Sequence, residues 1–402
     1  MTAGVAPQFI ANLKRTLAYW QAQAAARAPE ALAETKAEWQ NIAHAIGLGL
    51  NQPETWADAS ELSLALHRSV DATGRWTEWR TLLETAVRLA PADAPAQVRH
   101  LCNFLGLSQV MAGDRDSGRA TLQAVLAEAE ADDDAFNQMQ AHVGLALDAF
   151  YSGQPGAVEG HATHALTLLE AIGGSEDVRI NMLHFRGLAA REHGKYTESI
   201  RDLTEVVAMR RQLGPATELA RALENLAVVE CLTEDYSMGE AHLLEGLSLV
   251  PPVGADQLLN HLRLTLGWMH YRKADYEAAL AAFLKVDRAW MKRTNQSWAL
   301  AEILNNIASC LNKLGRLAEA EAYIHDSIAM YEQLGNPMML ANSVGVLAEV
   351  YAGLGRSAEA RPQFERALDL LNMPMEDPWW IMRRKEIEEA YAALLHSLAD
   401  AE

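Results

Sequence analysis

Apolar residues return every three to four positions along most of the chain, which is the spacing of amphipathic helices. The helical runs are cut by short turns. In LNNIASCLNKLGRLAEAEAYI (304–324), Leu304, Ile307 and Leu311 line one face of a first helix. Gly315 then closes that helix, since glycine accepts a left-handed backbone, and Ala320, Ile324 and Ile328 line a second. The stretch VLAEVYAGLGRSAEARPQF (346–364) repeats the scheme with Leu347, Ala348, Tyr351, Gly355, Ala360 and Phe364.

The turns form a ladder at Gly74, Gly113, Gly153, Gly194, Glu234, Ala274, Gly315 and Gly355, with gaps of 39, 40, 41, 40, 40, 41 and 40 residues. Small residues keep the same register: Gly106, Ala146, Gly187, Ala227, Gly267, Ala308 and Ala348 on first helices, and Gly118, Ser199, Gly239, Ala279, Ala320 and Ala360 on second helices. A large side chain at these seams would overpack them at a cost of about 1–3 kcal/mol. One hairpin cannot bury its apolar face alone, so the hairpins must stack.

This pattern resembles the tetratricopeptide repeat (TPR): a large residue, Leu-Gly/Ala, an aromatic, then Ala-x3-Phe. The match is best at 300–335 and 341–373 and good over 219–290. The unit at 180–214 has Arg186 where Leu is usual, and Trp79 and Pro155 break the pattern within 60–174. The resemblance implies an all-α, right-handed solenoid of about eight helical hairpins over 59–373, preceded by N-terminal helices in 1–58 and closed by a capping helix in 374–402. The period exceeds the usual 34 residues by about six, which implies longer helices or longer loops, with 214–220 and 251–257 reading as loops. Residues 9–28 and 30–50 read as two helices separated by Pro29. Asp377 reads as an N-cap and Pro378 as a first-turn residue of a last helix reaching about Leu398, with Ile387, Tyr391, Leu394 and Leu398 on one face.

Composition narrows the function. The 402 residues are half hydrophobic and carry a net charge of −19, a surface that repels nucleic acid and anionic membrane. The clusters Arg210-Arg211 and Arg383-Arg384-Lys385 are short, lie among acids, and read as solvated helix faces. Cys102, Cys231 and Cys310 are widely separated and form no CxxC pair, so neither a disulfide framework nor a zinc site is expected. No signal peptide or membrane-length apolar run is present, and a cytoplasmic protein is the expectation.

A finer resemblance lies near the N-terminus. Trp39, Asn41-Ile42, His44-Ala45-Ile46, Leu64-Ala65-Leu66, Gly74, Trp79 and Leu82-Leu83-Glu84 follow the layout of the junction between the ATPase part and the TPR sensor of bacterial NB-ARC-type signal-transduction (STAND) ATPases, and 16–32 is similar to the helix before it. In that family, ligand binding to the repeats releases an upstream ATPase domain. The chain itself has no GxxxxGK[ST] loop, and Gly47-Leu48-Gly49 is too little to cradle phosphate.

In TPR proteins, ligand contacts come from positions 2, 5, 6, 9, 12 and 13 of each unit when the turn glycine is counted as 15. Carried over by that count, the resemblance implies a concave groove presenting Asn181, His184, Phe185 and Arg191, then Arg221, Glu224 and Asn225. It continues with His261, Trp268, Tyr271 and Arg272, then Glu302, Asn305, Asn306 and Asn312, with Asn103, Phe150 and Tyr151 further back. Arginine can hold a carboxylate in bidentate fashion, asparagine can pair with a peptide backbone, and Tyr and Trp add apolar area with a polar handle. That chemistry suits a peptide or protein segment, or a small-molecule inducer. Structural roles compete at several positions: Asn305 and Asn306 can tie adjacent units, Trp268 can be core packing, and His184 and His261 can be solvated helix residues. The Lys/Asn arrangement of chaperone-binding members is not seen.

Catalytic motifs are absent: there is no GxSxG and no HExxH. His161 and His164 share a helix face, but no third ligand is near in sequence, so neither a metal nor a cofactor is expected. Asp132-Asp133-Asp134 reads as a loop between repeats. Two readings stand: the sensor region of a STAND-type regulator, or a free-standing scaffold that binds peptide segments of other proteins.

Overall fold

A computed structural model describes residues 6–26, 29–251, 254–372 and 378–399. Among the described residues every regular element is a helix. The chain divides into two compact units, Met1–Val206 and Val207–Glu402.

The first unit opens with α1 (Pro7–Ala25), α2 (Pro29–Ala37) and α3 (Trp39–Leu50), continues through α4 (Trp56–Ala65), α5 (His67–Thr73) and α6 (Trp76–Arg88), and then becomes regular. Its long hairpins are α7 (Pro95–Met111) with α8 (Arg115–Ala131), then α9 (Ala135–Tyr151) with α10 (Pro155–Ile172), followed by α11 (Glu176–Glu192) and the start of α12 (Tyr196–Leu213). The second unit holds the end of α12, then α13 (Ala216–Leu232) with α14 (Tyr236–Leu249), and α15 (Asp256–Arg272) with α16 (Tyr276–Leu284). After α17 (Arg288–Arg293) come α18 (Ser297–Lys313) with α19 (Leu317–Leu334), α20 (Pro337–Gly353) with α21 (Ser357–Leu370), and α22 (Pro378–Ala399). Within each unit, successive hairpins stack on their neighbours, so the all-α repeat solenoid read from the apolar spacing is the observed fold class.

The ladder of turns has one physical cause. All eight predicted turn positions take a left-handed backbone, including the non-glycines Glu234 (φ 64°) and Ala274 (φ 61°). A Cβ in that region meets the following carbonyl and costs about 1 kcal/mol. Ala274→Gly is therefore expected to stabilise the second unit by about 1 kcal/mol in urea denaturation, and an unchanged midpoint would contradict the turn geometry. Side-chain caps start α9, α14, α16 and α20: Asp134, Asp235, Asp275 and Asn336 each accept an N–H three residues on, worth about 1 kcal/mol apiece.

The small residues lie buried where helices cross. A Cβ added at Gly118 would approach the Gly106 carbonyl oxygen to 2.8 Å and the Val110 nitrogen to 2.9 Å, so only hydrogen fits. The residues predicted to face inward on α18 to α21 are buried in a single core that reaches Ile387 and Leu394 of α22.

Several expectations change. The long period comes from helices of 17 or 18 residues, as in α9 to α13. Residues 216–220 belong to α13, so the loop expected at 214–220 shrinks to two positions, while 250–255 is a connection of which 252 and 253 lie outside the described residues. The helix expected over 30–50 is broken at Glu38 into α2 and α3, and no Pro or Gly marks the break. Pro155 does not disturb its helix, because it occupies the first turn of α10, where a missing N–H costs nothing. Trp79 is core, fully buried with its indole N–H donating to the Ser63 carbonyl at 2.7 Å. Arg186, in place of the usual leucine, makes a two-pronged pair with buried Asp202 at 2.6 and 3.0 Å. The N-cap expected at Asp377 lies outside the described residues, and α22 begins at Pro378.

Candidate functional site

The predicted groove residues fall into separate groups. On α11 of the first unit, Asn181 is exposed, His184 stacks parallel to Phe185 with centroids 5.8 Å apart, and Arg191 pairs with Glu192 at 2.7 Å. Phe150 and Arg191 border a pocket there of about 410 Å³. Asn103 is buried and ties α7 to α9 by donating to Asn137 at 3.1 Å.

In the second unit, Arg221, Glu224, Asn225 and His261 form a patch on α13 and α15. Glu224 accepts from the Thr265 hydroxyl at 3.1 Å, and burial raises its carboxyl above the ordinary range. Burial, followed by the charge of Arg221, lowers the His261 imidazole.

Six of the predicted residues do converge. Trp268, Tyr271 and Arg272 of α15 and Asn305, Asn306 and Asn312 of α18 line one pocket of about 380 Å³ in the second unit. The repeat places them there: each lies on the same face of a first helix, and stacking sets those faces side by side. Trp268 packs against the core and also lines the pocket. The Arg272 guanidinium lies over its ring at 5.4 Å, a cation–π contact. Asn305, only 3% exposed, ties adjacent hairpins by accepting from Ser343 Oγ at 3.0 Å. Asn312 donates to Glu349 at 2.9 Å.

The opposite wall was not foreseen. It is made by Asn342, Val346 and Glu349 of α20 and by Trp379, Met382, Arg383 and Glu386 of α22. Counting back from Gly355 puts Asn342, Val346 and Glu349 at positions 2, 6 and 9, so the repeat rule applied to this unit would have found them. Arg383, expected on a solvated face, is 7% exposed. Its Nε donates to Asn342 Oδ1 at 2.8 Å, and its other nitrogens pair with Glu349 at 2.9 Å and Glu386 at 3.0 Å. The apolar face of α22 causes this burial: Ile387 seats against Gly345, where an added Cβ would lie 2.7 Å from Ile387 Cδ1. Arg384 and Lys385 remain outside, in helix-surface pairs with Glu388 and Glu389.

Glu302, at position 2 of its unit, does not line the pocket. Burial pushes its carboxyl up to about 7. Because the folded chain then binds that proton more tightly than the unfolded chain, the contribution to stability is present at acid pH and lost as pH rises through about 7. Glu302→Gln is expected to stabilise the second unit by about 2 kcal/mol at pH 8.5 and by nothing at pH 4. An equal effect at both pH values would remove the burial account.

The His161/His164 pair does gain a third imidazole, from α9. His142 Nδ1 lies 3.0 Å from His161 Nδ1, and the His164 ring stacks on His142 with planes 13° apart. Near-parallel rings cannot direct their in-plane lone pairs at one ion, and no group of three or more His, Cys, Asp or Glu among the described residues is arranged to hold a metal. Burial and the two neighbouring imidazoles lower His142 to about 4. Asp132 and Asp134 bind Arg99 at 2.8 and 3.0 Å in a turn between hairpins. The three cysteines are free. Among the described residues no helix is long and apolar enough to cross a membrane.

Residues 299–373 match the family model of the tetratricopeptide repeat. No curated protein matches the sequence. Among solved structures, the chain is similar to a STAND ATPase with a tetratricopeptide repeat sensor from Pyrococcus horikoshii, with TM-score 0.60 and 14% identity over 89% of this chain and 55% of that one. It spans about half the length of that protein. It is similar to the apo form of RapI, with TM-score 0.60 and 10% identity over 85% of this chain and 99% of that one. A Rap protein complexed with competence and sporulation factor gives TM-score 0.54 and 12% identity over 85% and 99%.

Proposed function

We propose, for a chain whose repeats are tetratricopeptide repeats, that it is a non-catalytic binding module whose ligand seat is the pocket walled by α15, α18, α20 and α22. The ligand is a peptide or protein segment, or a small-molecule inducer. The observation that carries this reading is the convergence of six groove positions from two repeats on one cavity, closed on its far side by the terminal helix. Amide and cationic donors beside Trp268, Trp379 and Tyr271 give both polar and apolar purchase. The likeness to a Rap protein complexed with competence and sporulation factor supports a peptide.

The setting we favour is the sensor region of a STAND-type regulator, supported by the 32–90 resemblance and by the fold shared with the Pyrococcus horikoshii protein over 89% of the chain. A free-standing regulator is the second reading, supported by the Rap proteins, of which the alignment takes in 99%. An ATPase domain encoded in frame ahead of Met1 favours the first, and its absence from the native gene favours the second.

Fluorescence polarisation with a labelled, randomised hexapeptide pool tests the seat. Binding is expected to disappear in Trp268→Ala and Asn306→Ala and to persist in Asn181→Ala and Arg191→Ala. The reverse pattern would move the seat to the first unit.

A further inference from the structure

Many arginines of the second unit face a carboxylate, as Arg316 does with Glu319 and Arg356 with Glu321 and Glu359. The junction between α16 and α18 departs from this. KVDRAWMKR (285–293) holds four cations and one acid. The acid, Asp287, is used as the N-cap of α17, where it accepts the Trp290 N–H at 2.9 Å. Lys285, Lys292 and Arg293 are exposed, and the Arg288 guanidinium lies over the Tyr323 ring at 5.7 Å. Arg263 of α15 joins them by donating to the Lys285 carbonyl at 2.6 Å. None of these cations makes an ion pair among the described residues. Trp298 follows at the start of α18 and is 49% exposed, so an apolar anchor stands beside the positive surface.

A second junction has the opposite sign. The end of α8 and the turn after it present Glu128, Glu130 and Asp133, all exposed and in no ion pair among the described residues, while Asp132 and Asp134 are taken by Arg99. Phe136 comes next and is 43% exposed. Phe136 and Trp298 hold one repeat position, each 17 residues before its turn glycine, Gly153 or Gly315, and no other unit has an aromatic there. The two junctions share a layout, an exposed ring beside like charges, with the sign reversed.

We infer that the chain binds a second copy of itself through these junctions, with Lys292, Arg293 and Trp298 of one copy meeting Glu128, Glu130 and Phe136 of the other. Each exposed ion pair adds little affinity, so the rings supply the apolar contact and the charges decide which junction meets which. The matched acidic junction is what favours a copy of the chain over nucleic acid or an anionic membrane as the occupant. Two copies of net charge −19 repel at long range. At about 150 mM salt the Debye length is about 8 Å, so that repulsion is largely screened while facing side chains still attract. None of these residues lines the proposed ligand seat, and the test uses no peptide.

Sedimentation velocity of the full chain at about 100 µM in about 150 mM salt reads the association. The parent is expected to sediment as more than a monomer. Lys285→Glu, Lys292→Glu and Arg293→Glu together make the basic junction acidic. Glu128→Lys, Glu130→Lys and Asp133→Asn together make the acidic one basic. Each triple variant then repels its own copies and is expected to self-associate about ten-fold more weakly, with the circular dichroism of the parent. Mixed in equal amounts, the two variants offer complementary junctions again and are expected to associate with each other. Trp298→Ala is expected to weaken association of the parent about ten-fold. A monomeric parent overturns the inference, even if it binds DNA or phosphatidylserine vesicles through the basic junction. A triple variant that associates like the parent, or a mixture that stays monomeric, overturns it too.

Discussion

Arg383→Ala is expected to lower the stability of the second unit by about 3 kcal/mol and to remove ligand binding. The side chain is buried, and its three partners depend on it: Asn342, Glu349 and Glu386. Truncation leaves the Glu349 carboxylate, itself only 15% exposed, without its countercharge. The cost is that of an orphaned charge, so removing the second charge should relieve it. Arg383→Met combined with Glu349→Gln is expected to recover more than half of the loss in urea denaturation. If Arg383→Ala unfolds with the parent, or if the double variant is worse than the single, the ion cluster does not hold α22 in place.

Trp79→Ala is expected to cost the first unit about 4 kcal/mol. The ring is fully buried and meets Trp76, Phe104 and His67 with centroids 5.9, 5.7 and 5.6 Å away. Its N–H also satisfies the Ser63 carbonyl, which truncation leaves without that donor, adding about 1 kcal/mol. Trp79→Phe keeps the apolar area and should lose about half as much. The check is hydrogen exchange of backbone amides in 56–111, and exchange unchanged in Trp79→Ala would show that the aromatic cluster does not organise this region.

Most of the fold is legible because the repeat writes one physical demand many times. A left-handed turn selects glycine, so six glycines mark the ladder, and the even spacing then exposes Glu234 and Ala274 at the same backbone angle. Helix seams select small side chains, Gly, Ala and at one position Ser199, whose hydroxyl donates to the Gly187 carbonyl, and those positions are legible one by one. Irregular stretches give less away: α2 and α3 part at Glu38 without a helix breaker, and α17 follows a bend in which the Asp287 N–H donates to the side chain of Asn260, 27 residues back.

The pocket is half legible for the same reason. Its α15 and α18 wall obeys the repeat count, and Asn342 and Glu349 obey it too. The α22 wall lies past the last turn, where no count applies. Arg383 sits in an Arg-Arg-Lys run with acids after it, so local charge alone makes it look solvated, and only the docking of Ile387 on Gly345 carries it inside. Arg191 and His184 obey the count yet lie in the other unit, since position within a repeat does not say which repeats share a cavity.

The seat is tested most directly by hydrogen–deuterium exchange of the full chain with and without a saturating peptide selected from the randomised pool. Slowed exchange is expected together in 256–272, 297–313, 337–353 and 378–399. Slowing confined to 135–192, or bound peptide with no change in those four helices, would contradict it.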